Sequence, residues 1–141
     1  MTGDTAHNVP AFAPDVFVEG AGGSALVGGH CRQCGSTWFP TAERCPEDGT
    51  RLEPIEIGRT GRLYSYTVVR TKAPFGLPEP YGVGYVDLDD VPLRVFMLLD
   101  PAQVDRLAIG APVRLASATL GVGLNGEPCR RPYFTLLTDT Q

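Results

Sequence analysis

The sequence predicts a mainly β chain in two small units, a cysteine-bearing ribbon followed by a five-stranded barrel, and three observations predict it. First, Cys31 and Cys34 are followed by Gly35, and Cys45 is followed at the same interval by Asp48 and Gly49, with ten residues between Cys34 and Cys45. Second, 17 glycines and 13 prolines in 141 residues exceed average usage and favour turns and short strands over long helices. Third, the second half carries β-branched and aromatic runs in the order three strands, one short helix, two strands.

Taken from the N-terminus, residues 1–13 read as a polar arm. Pro14 and Asp15, followed by Val16, Phe17 and Val18, predict a short helix with Asp15 near its cap, stopped by Gly20, Gly22 and Gly23. Leu26 and Val27 predict a short strand leading into the cysteines. Trp38, Phe39 and Pro40 lie between the two cysteine halves. A ribbon of this size has almost no core of its own, so these aromatics cover the cysteine site or dock on the next unit, with plain packing the reading for Trp38.

From Gly58 the pattern changes. Residues 62–70 form the first barrel strand, rich in the residue types that suit a pleated surface. A loop with Pro74, Phe75, Gly76, Pro78 and Pro80 leads to a second strand over 81–88, and Asp89-Asp90 turns into a third over 93–99. Asp100 as N-cap and Pro101 at the first helical position start a short helix, which Gly110 ends. The fourth strand covers 112–120 and the fifth 133–138. This succession is that of an OB-fold, a small Greek-key barrel with its helix between strands 3 and 4. The expected division is an arm and short helix over 1–24, a zinc-ribbon (rubredoxin-like) unit over 25–56 and the barrel over 57–141.

Each half of the cysteine stretch has the shape of a zinc knuckle: a ligand, two residues, a second ligand, and a glycine that lets the backbone turn so its N–H groups face the sulfurs. Zinc takes four ligands in a tetrahedron, two from each knuckle. Here Asp48 stands where a fourth cysteine is expected. Three readings are open. Cys31, Cys34, Cys45 and Asp48 bind zinc, since a carboxylate is an acceptable ligand. Alternatively the three thiolates bind it with water or His30 as the fourth ligand, or the metal is lost and packing keeps the fold. Fewer thiolates imply weaker binding in each case. Cys129 lies far along the chain and reads as a small buried apolar residue.

The net charge of −4 and a pI near 5.1 disfavour bulk nucleic-acid binding, which normally leaves a basic footprint. No stretch approaches the length of a membrane span, and residues 1–10 lack a signal-peptide layout, so the expectation is a cytoplasmic protein whose cysteines bind metal rather than pair. Independent catalysis is not expected: His7 and His30 belong to no recognisable triad, and no phosphate-binding loop or nucleophile elbow occurs. A second functional class is single-stranded nucleic-acid binding, with Tyr64, Tyr66, Phe75, Tyr85 and Phe96 as stacking surfaces. Against it, alternate aromatics are expected to face the barrel core. Arg70, Lys72, Arg130 and Arg131 read as solvated surface first and partner contact second. Apolar Phe75 and Leu77 on the proline-rich loop over 73–80 point to a partner contact, or else to a cap on the barrel mouth.

Several motifs together resemble the DUF35 family over nearly the whole chain. They are the segment around Phe17-Val18-Glu19-Gly20, Cys31-x-x-Cys34-Gly35, Phe39-Pro40, Cys45-Pro46, the run Gly61-Arg62-Leu63-Tyr64-Ser65-Tyr66-Thr67-Val68-Val69, Glu79-Pro80-Tyr81 and Asp87-Leu88. The resemblance implies a ribbon followed by an OB barrel, acting as a small non-catalytic partner of thiolase-like or lipid-transfer-protein-type acyl-CoA enzymes. It implies that catalytic residues belong to the partner, while the small chain stabilises the complex and shapes the path of the acyl-CoA. It also adds coenzyme A contact as a third reading for Arg70, Lys72, Arg130 and Arg131, and a cover for a CoA channel as a reading for Phe75 and Leu77. The Asp48 departure from the four-cysteine pattern puts the zinc in question.

Overall fold

The computed structural model describes residues 16–20 and 23–137. The polar arm, His7 and Asp15 lie outside them. Among the described residues no helix is long and apolar enough to cross a membrane.

The first sheet is built on β2 (Gly23–His30), which pairs antiparallel with β1 (Phe17–Gly20), β3 (Thr37–Trp38) and β4 (Glu53–Gly58). The segment over 17–20 is therefore a strand, not part of a short helix. Its apolar residues satisfy a partner instead: Phe17 lies opposite Leu26 and Val18 opposite Ala25. Phe17, Ala25 and Leu26 are all buried. The β-forming Phe17 and Val18 agree with this pairing, and it is the cap-like Pro14-Asp15 signal that misleads.

The second sheet closes into a barrel in the order β5 (Thr60–Val69), β6 (Tyr81–Leu88), β7 (Arg94–Leu99), β9 (Pro128–Leu136), β8 (Pro112–Val122), with β5 and β8 completing the ring. β7 meets β9 in parallel at Leu99 and Phe134, and the other pairings are antiparallel. This is the five-stranded closed barrel that the strand order predicts. The expected helix between its third and fourth strands is one 3-10 turn, Pro101–Gln103. Asp100 caps it as expected, accepting a hydrogen bond from the Ala102 N–H at 2.9 Å. The turn is tied to β9 through Gln103, whose Oε1 accepts from the Leu136 N–H at 2.9 Å.

Period-two alternation fills the barrel. Leu63, Val86, Leu88, Val95, Met97, Leu99, Val113, Leu115 and Phe134 point inward and join Phe17, Leu26 and Ile57 of the first sheet in one core. On β6 the inward positions nearest the loop are Gly82 and Gly84. A Cβ on Gly84 would sit 2.3 Å from the Ser65 carbonyl oxygen, so the strands approach too closely there for any side chain.

Tyr64, Tyr85 and Phe96 on β5, β6 and β7 take the other face. Tyr64, Tyr66, Tyr85 and Phe96 are all exposed, with Phe96 at 55%, which corrects the expectation that alternate members fill the core. A bulge on β5 between Leu63 and Ser65 shifts the register, so that Tyr66 lies opposite Gly84 and its hydroxyl donates to Leu107 O at 3.1 Å. The Arg94 guanidinium covers the Tyr64 ring at 3.4 Å, and Tyr85 stacks against Phe96 with centroids 5.0 Å apart. Polar contacts tie the first sheet to the barrel: Glu19 of β1 takes hydrogen bonds from Arg130 of β9 and Ser117 of β8, and Ser24 lies 3.1 Å from Ser117.

Candidate functional site

Two matched turns build the cysteine site. In the first, the Cys31 N–H donates to Ser36 O at 2.9 Å and the Gly35 N–H to Cys31 O at 2.8 Å. In the second, the Cys45 N–H donates to Thr50 O at 2.7 Å and the Gly49 N–H to Cys45 O at 2.9 Å. Gly35 and Gly49 both hold φ +80, the left-handed conformation that reverses each turn and that a side chain would strain. The reversal aims backbone donors at sulfur: the Cys34 N–H reaches Cys31 Sγ at 3.5 Å, and the Glu47 N–H reaches Cys45 Sγ at 3.4 Å.

Cys31, Cys34, Cys45 and Asp48 bring one ligand atom each to within 4.8 Å of one another, and this group can hold a metal ion. His30 is not part of it. A tetrahedral zinc ion with Zn–S near 2.3 Å and Zn–O near 2.0 Å sets sulfurs about 3.8 Å apart and a sulfur–oxygen pair about 3.5 Å apart. Cys34 Sγ and Cys45 Sγ are 3.8 Å apart, and Cys31 Sγ lies 3.5 and 3.6 Å from the two Asp48 oxygens. The residues fit the ion, including the carboxylate at the altered position. Asp48 is locked in place by the Thr50 N–H, which donates to its Oδ1 at 2.9 Å and holds its carboxyl below the usual range. Cys31 and Cys45 are buried, whereas Cys34 and Asp48 face solvent.

Sequence reasoning missed a neighbour of the sulfurs. Ser36 Oγ lies 3.0 Å from Cys34 Sγ and 3.7 Å from Cys45 Sγ, and it accepts from the Trp38 indole N–H at 2.8 Å. The Ser36 hydroxyl, and after it the Ser36 backbone N–H, pull the Cys34 thiol below its ordinary value. The signal was a serine one residue beyond the knuckle glycine. The aromatic pair divides its work: Trp38 packs on the small cluster of Cys31, Cys45 and Leu52, while Phe39 packs on the main core.

The proline-rich loop forms a second feature, on the barrel. Its turn, Pro74–Gly76, holds Phe75 at φ +56, an unusual conformation for a bulky residue. Phe75 is 41% exposed, Leu77 is half-buried, and Arg70 and Lys72 are exposed. The Arg131 guanidinium lies 5.4 Å from the Phe75 ring centroid. Arg131 is not solvated surface: it is buried, and it donates to Leu120 O at 2.6 Å, Val122 O at 3.1 Å and Cys129 Sγ at 3.0 Å. Arg130 is largely covered as well, through its ion pair with Glu19. Both differ from the surface reading because each finds acceptors within the fold: Arg131 the Leu120 and Val122 carbonyls at the bulged end of β8, and Arg130 the Glu19 carboxylate of β1. Cys129 is buried, as expected.

The family model described as the ChsH2 C-terminal OB-fold domain matches residues 54–117. The chain is 35% identical over 98 residues to the benzoylsuccinyl-CoA thiolase subunit BbsA of Thauera aromatica, covering 67% of each protein. It is 33% identical over 93 residues to a DUF35 domain-containing scaffold protein of Methanothermobacter thermautotrophicus, covering 64% of this chain and 69% of that one. A second scaffold protein of that name, from Methanocaldococcus jannaschii, is 35% identical over 69 residues, and the chain spans about half its length. Among solved structures, a chain of the Ltp2-ChsH2(DUF35) aldolase superposes with a TM-score of 0.64 at 27% identity, over 81% of this chain and 86% of that chain.

Proposed function

The chain belongs to the DUF35 family, and from that premise we propose that it is a non-catalytic accessory subunit of a thiolase-superfamily acyl-CoA enzyme. The observation that carries the proposal is a double likeness. In sequence the chain matches a thiolase subunit, and in structure it matches the DUF35 chain of an aldolase complex. In this reading the partner supplies the reacting groups, in a thiolase, an acyltransferase or a retro-aldolase. The small chain stabilises the assembly, helps shape acyl-CoA access, and works in the cytoplasm.

The proposed division of labour follows the sequence. Residues 25–56 carry a structural zinc on Cys31, Cys34, Cys45 and Asp48, and residues 57–141 form the barrel that meets the partner. All four ligand positions are taken by side chains, which suits a structural ion rather than a catalytic one with an open position. Phe75 and Leu77, flanked by Arg70 and Lys72, are the proposed partner or CoA contacts. A strained aromatic held outward over a buried guanidinium supports this reading, because such strain persists where a displayed side chain has a use.

Co-purification tests the proposal. Tagged chain expressed in its native cells is expected to retain a thiolase-superfamily protein in stoichiometric amount. Retention of single-stranded DNA or RNA in a salt-sensitive manner, with no such protein present, would favour nucleic-acid binding instead. Metal analysis tests the ion separately. The chain should take up zinc, and Asp48→Cys should hold it more tightly; no metal in either would remove the ligand assignment.

A further inference from the structure

We propose that Trp38 and Ser36 form a two-step hydrogen-bond relay that positions Cys34, the exposed thiol ligand, and so sets how tightly the zinc is held. This inference rests on the zinc reading above. The three thiols are not equivalent. Cys31 and Cys45 are buried, and each receives a backbone N–H from its own knuckle. Cys34 is exposed to water, and a side-chain hydroxyl, Ser36 Oγ, meets its sulfur at 3.0 Å.

The hydrogen-bond inventory and the thiolate form that a zinc ligand takes together fix the direction of the relay. An indole N–H can only donate, so the 2.8 Å contact from Trp38 Nε1 occupies a lone pair of the Ser36 oxygen. The hydroxyl has one proton left to give, and its acceptors are Cys34 Sγ at 3.0 Å and Cys45 Sγ at 3.7 Å. One serine therefore spans a ligand from each knuckle. Trp38 is itself held in β3, which pairs with Gly29 and His30 of β2, and its ring packs on the Cys31–Cys45–Leu52 cluster. Orientation thus passes from the sheet through indole and hydroxyl to the one thiol ligand of the three that lacks a buried setting. Partners of this kind, one shell out from the ligands, commonly change metal affinity by about 10- to 100-fold when removed.

A plain packing role for Trp38 makes a different prediction, and a double-mutant cycle separates the two. The full-length chain, loaded with zinc, is titrated with a chromophoric zinc chelator. Ser36→Ala should raise the zinc Kd by about 10-fold or more, and Ser36→Thr, which keeps the hydroxyl, should stay near wild type. Trp38→Phe should raise Kd several-fold in the wild-type background and add nothing in the Ser36→Ala background, because the indole acts through the serine. The chain has one tryptophan, so its fluorescence gives an independent readout. Emission should shift on zinc uptake in wild type, and the shift should shrink in Ser36→Ala at equal zinc occupancy. Equal retention by Ser36→Ala and wild type, a Ser36→Thr variant as weak as Ser36→Ala, or equal losses from Trp38→Phe in both backgrounds would overturn the relay while leaving the zinc reading intact. A wild-type chain that takes up no zinc would remove both.

Discussion

The barrel and the knuckles are two ends of one chain held together by different physics. The barrel buries Leu63, Val86, Leu99, Val113 and Phe134 almost completely, and Phe17, Leu26 and Ile57 of the first sheet extend the same core. Each such side chain contributes about 1.5–3 kcal/mol on leaving water. The knuckle end buries only Cys31, Cys45 and Leu52, with Trp38 packed beside them. Three residues cannot offset the entropy of ordering the turns between Cys31 and Leu52. Under the zinc reading the ion makes up the difference, since a structural site of this kind contributes about 10 kcal/mol or more on binding. The difference teaches that one chain can join a core ordered by packing to a knuckle end which, under the zinc reading, is ordered by metal.

The largest effect should come from removing a buried ligand. Cys45→Ala should lower zinc uptake to background by metal analysis. It should also speed hydrogen exchange across residues 31–52, while amides of β6 and β7 keep their protection. Equal loss of protection in the barrel would erase the distinction between the two ends. The reverse test is Phe134→Ala, which empties the centre of the barrel and should cost about 3–5 kcal/mol in urea unfolding. Added zinc should not restore it.

A smaller effect is expected at the exposed loop. Phe75→Gly relieves a left-handed conformation worth about 1 kcal/mol and loses ring contacts, including that with Arg131, of similar size. The melting temperature should stay nearly constant, while affinity for the partner should fall by about tenfold or more. A lower melting temperature with unchanged affinity would make Phe75 a cap on the barrel instead. The smallest effect concerns pH. Burial, and after it the charge of Asp100, pushes the half-buried Tyr133 phenol above its ordinary value of 10.0. A raised folded value means stability that is full below the unfolded value and is lost as pH rises through the folded one. Barrel stability should therefore decline above about pH 10, and Tyr133→Phe should flatten that decline.

Much of this was legible locally. The clustering of Cys31, Cys34, Cys45 and Asp48 follows from spacing, and the barrel strands follow from runs such as Tyr81–Leu88, whose bounds match the expectation. What escaped was non-local. The segment over 17–20 is only four residues long and follows a Pro-Asp pair that reads as a helix start, so its strand shows only in the pairing with β2. The strand Glu53–Gly58, interrupted by Pro54, was not foreseen either. The outward aromatics were readable in principle. In Tyr81-Gly-Val-Gly-Tyr85 one face carries the large residues and the other the glycines, and glycines face inward only where a neighbouring strand crowds them. Arg131 was not readable, because the carbonyls that hold it belong to a bulged strand whose shape is set by its partner. Ser36 was visible as a residue, but its use depends on an indole folding back over two positions.

The most direct measurement of the accessory-subunit claim is turnover of an acyl-CoA thioester by the isolated chain, by the co-purified thiolase-superfamily protein, and by the two recombined. The account predicts no turnover by the small chain alone and higher activity, or greater stability, of the larger protein once it is added back. Turnover by the isolated chain, or a partner whose activity and stability ignore it, would contradict the account.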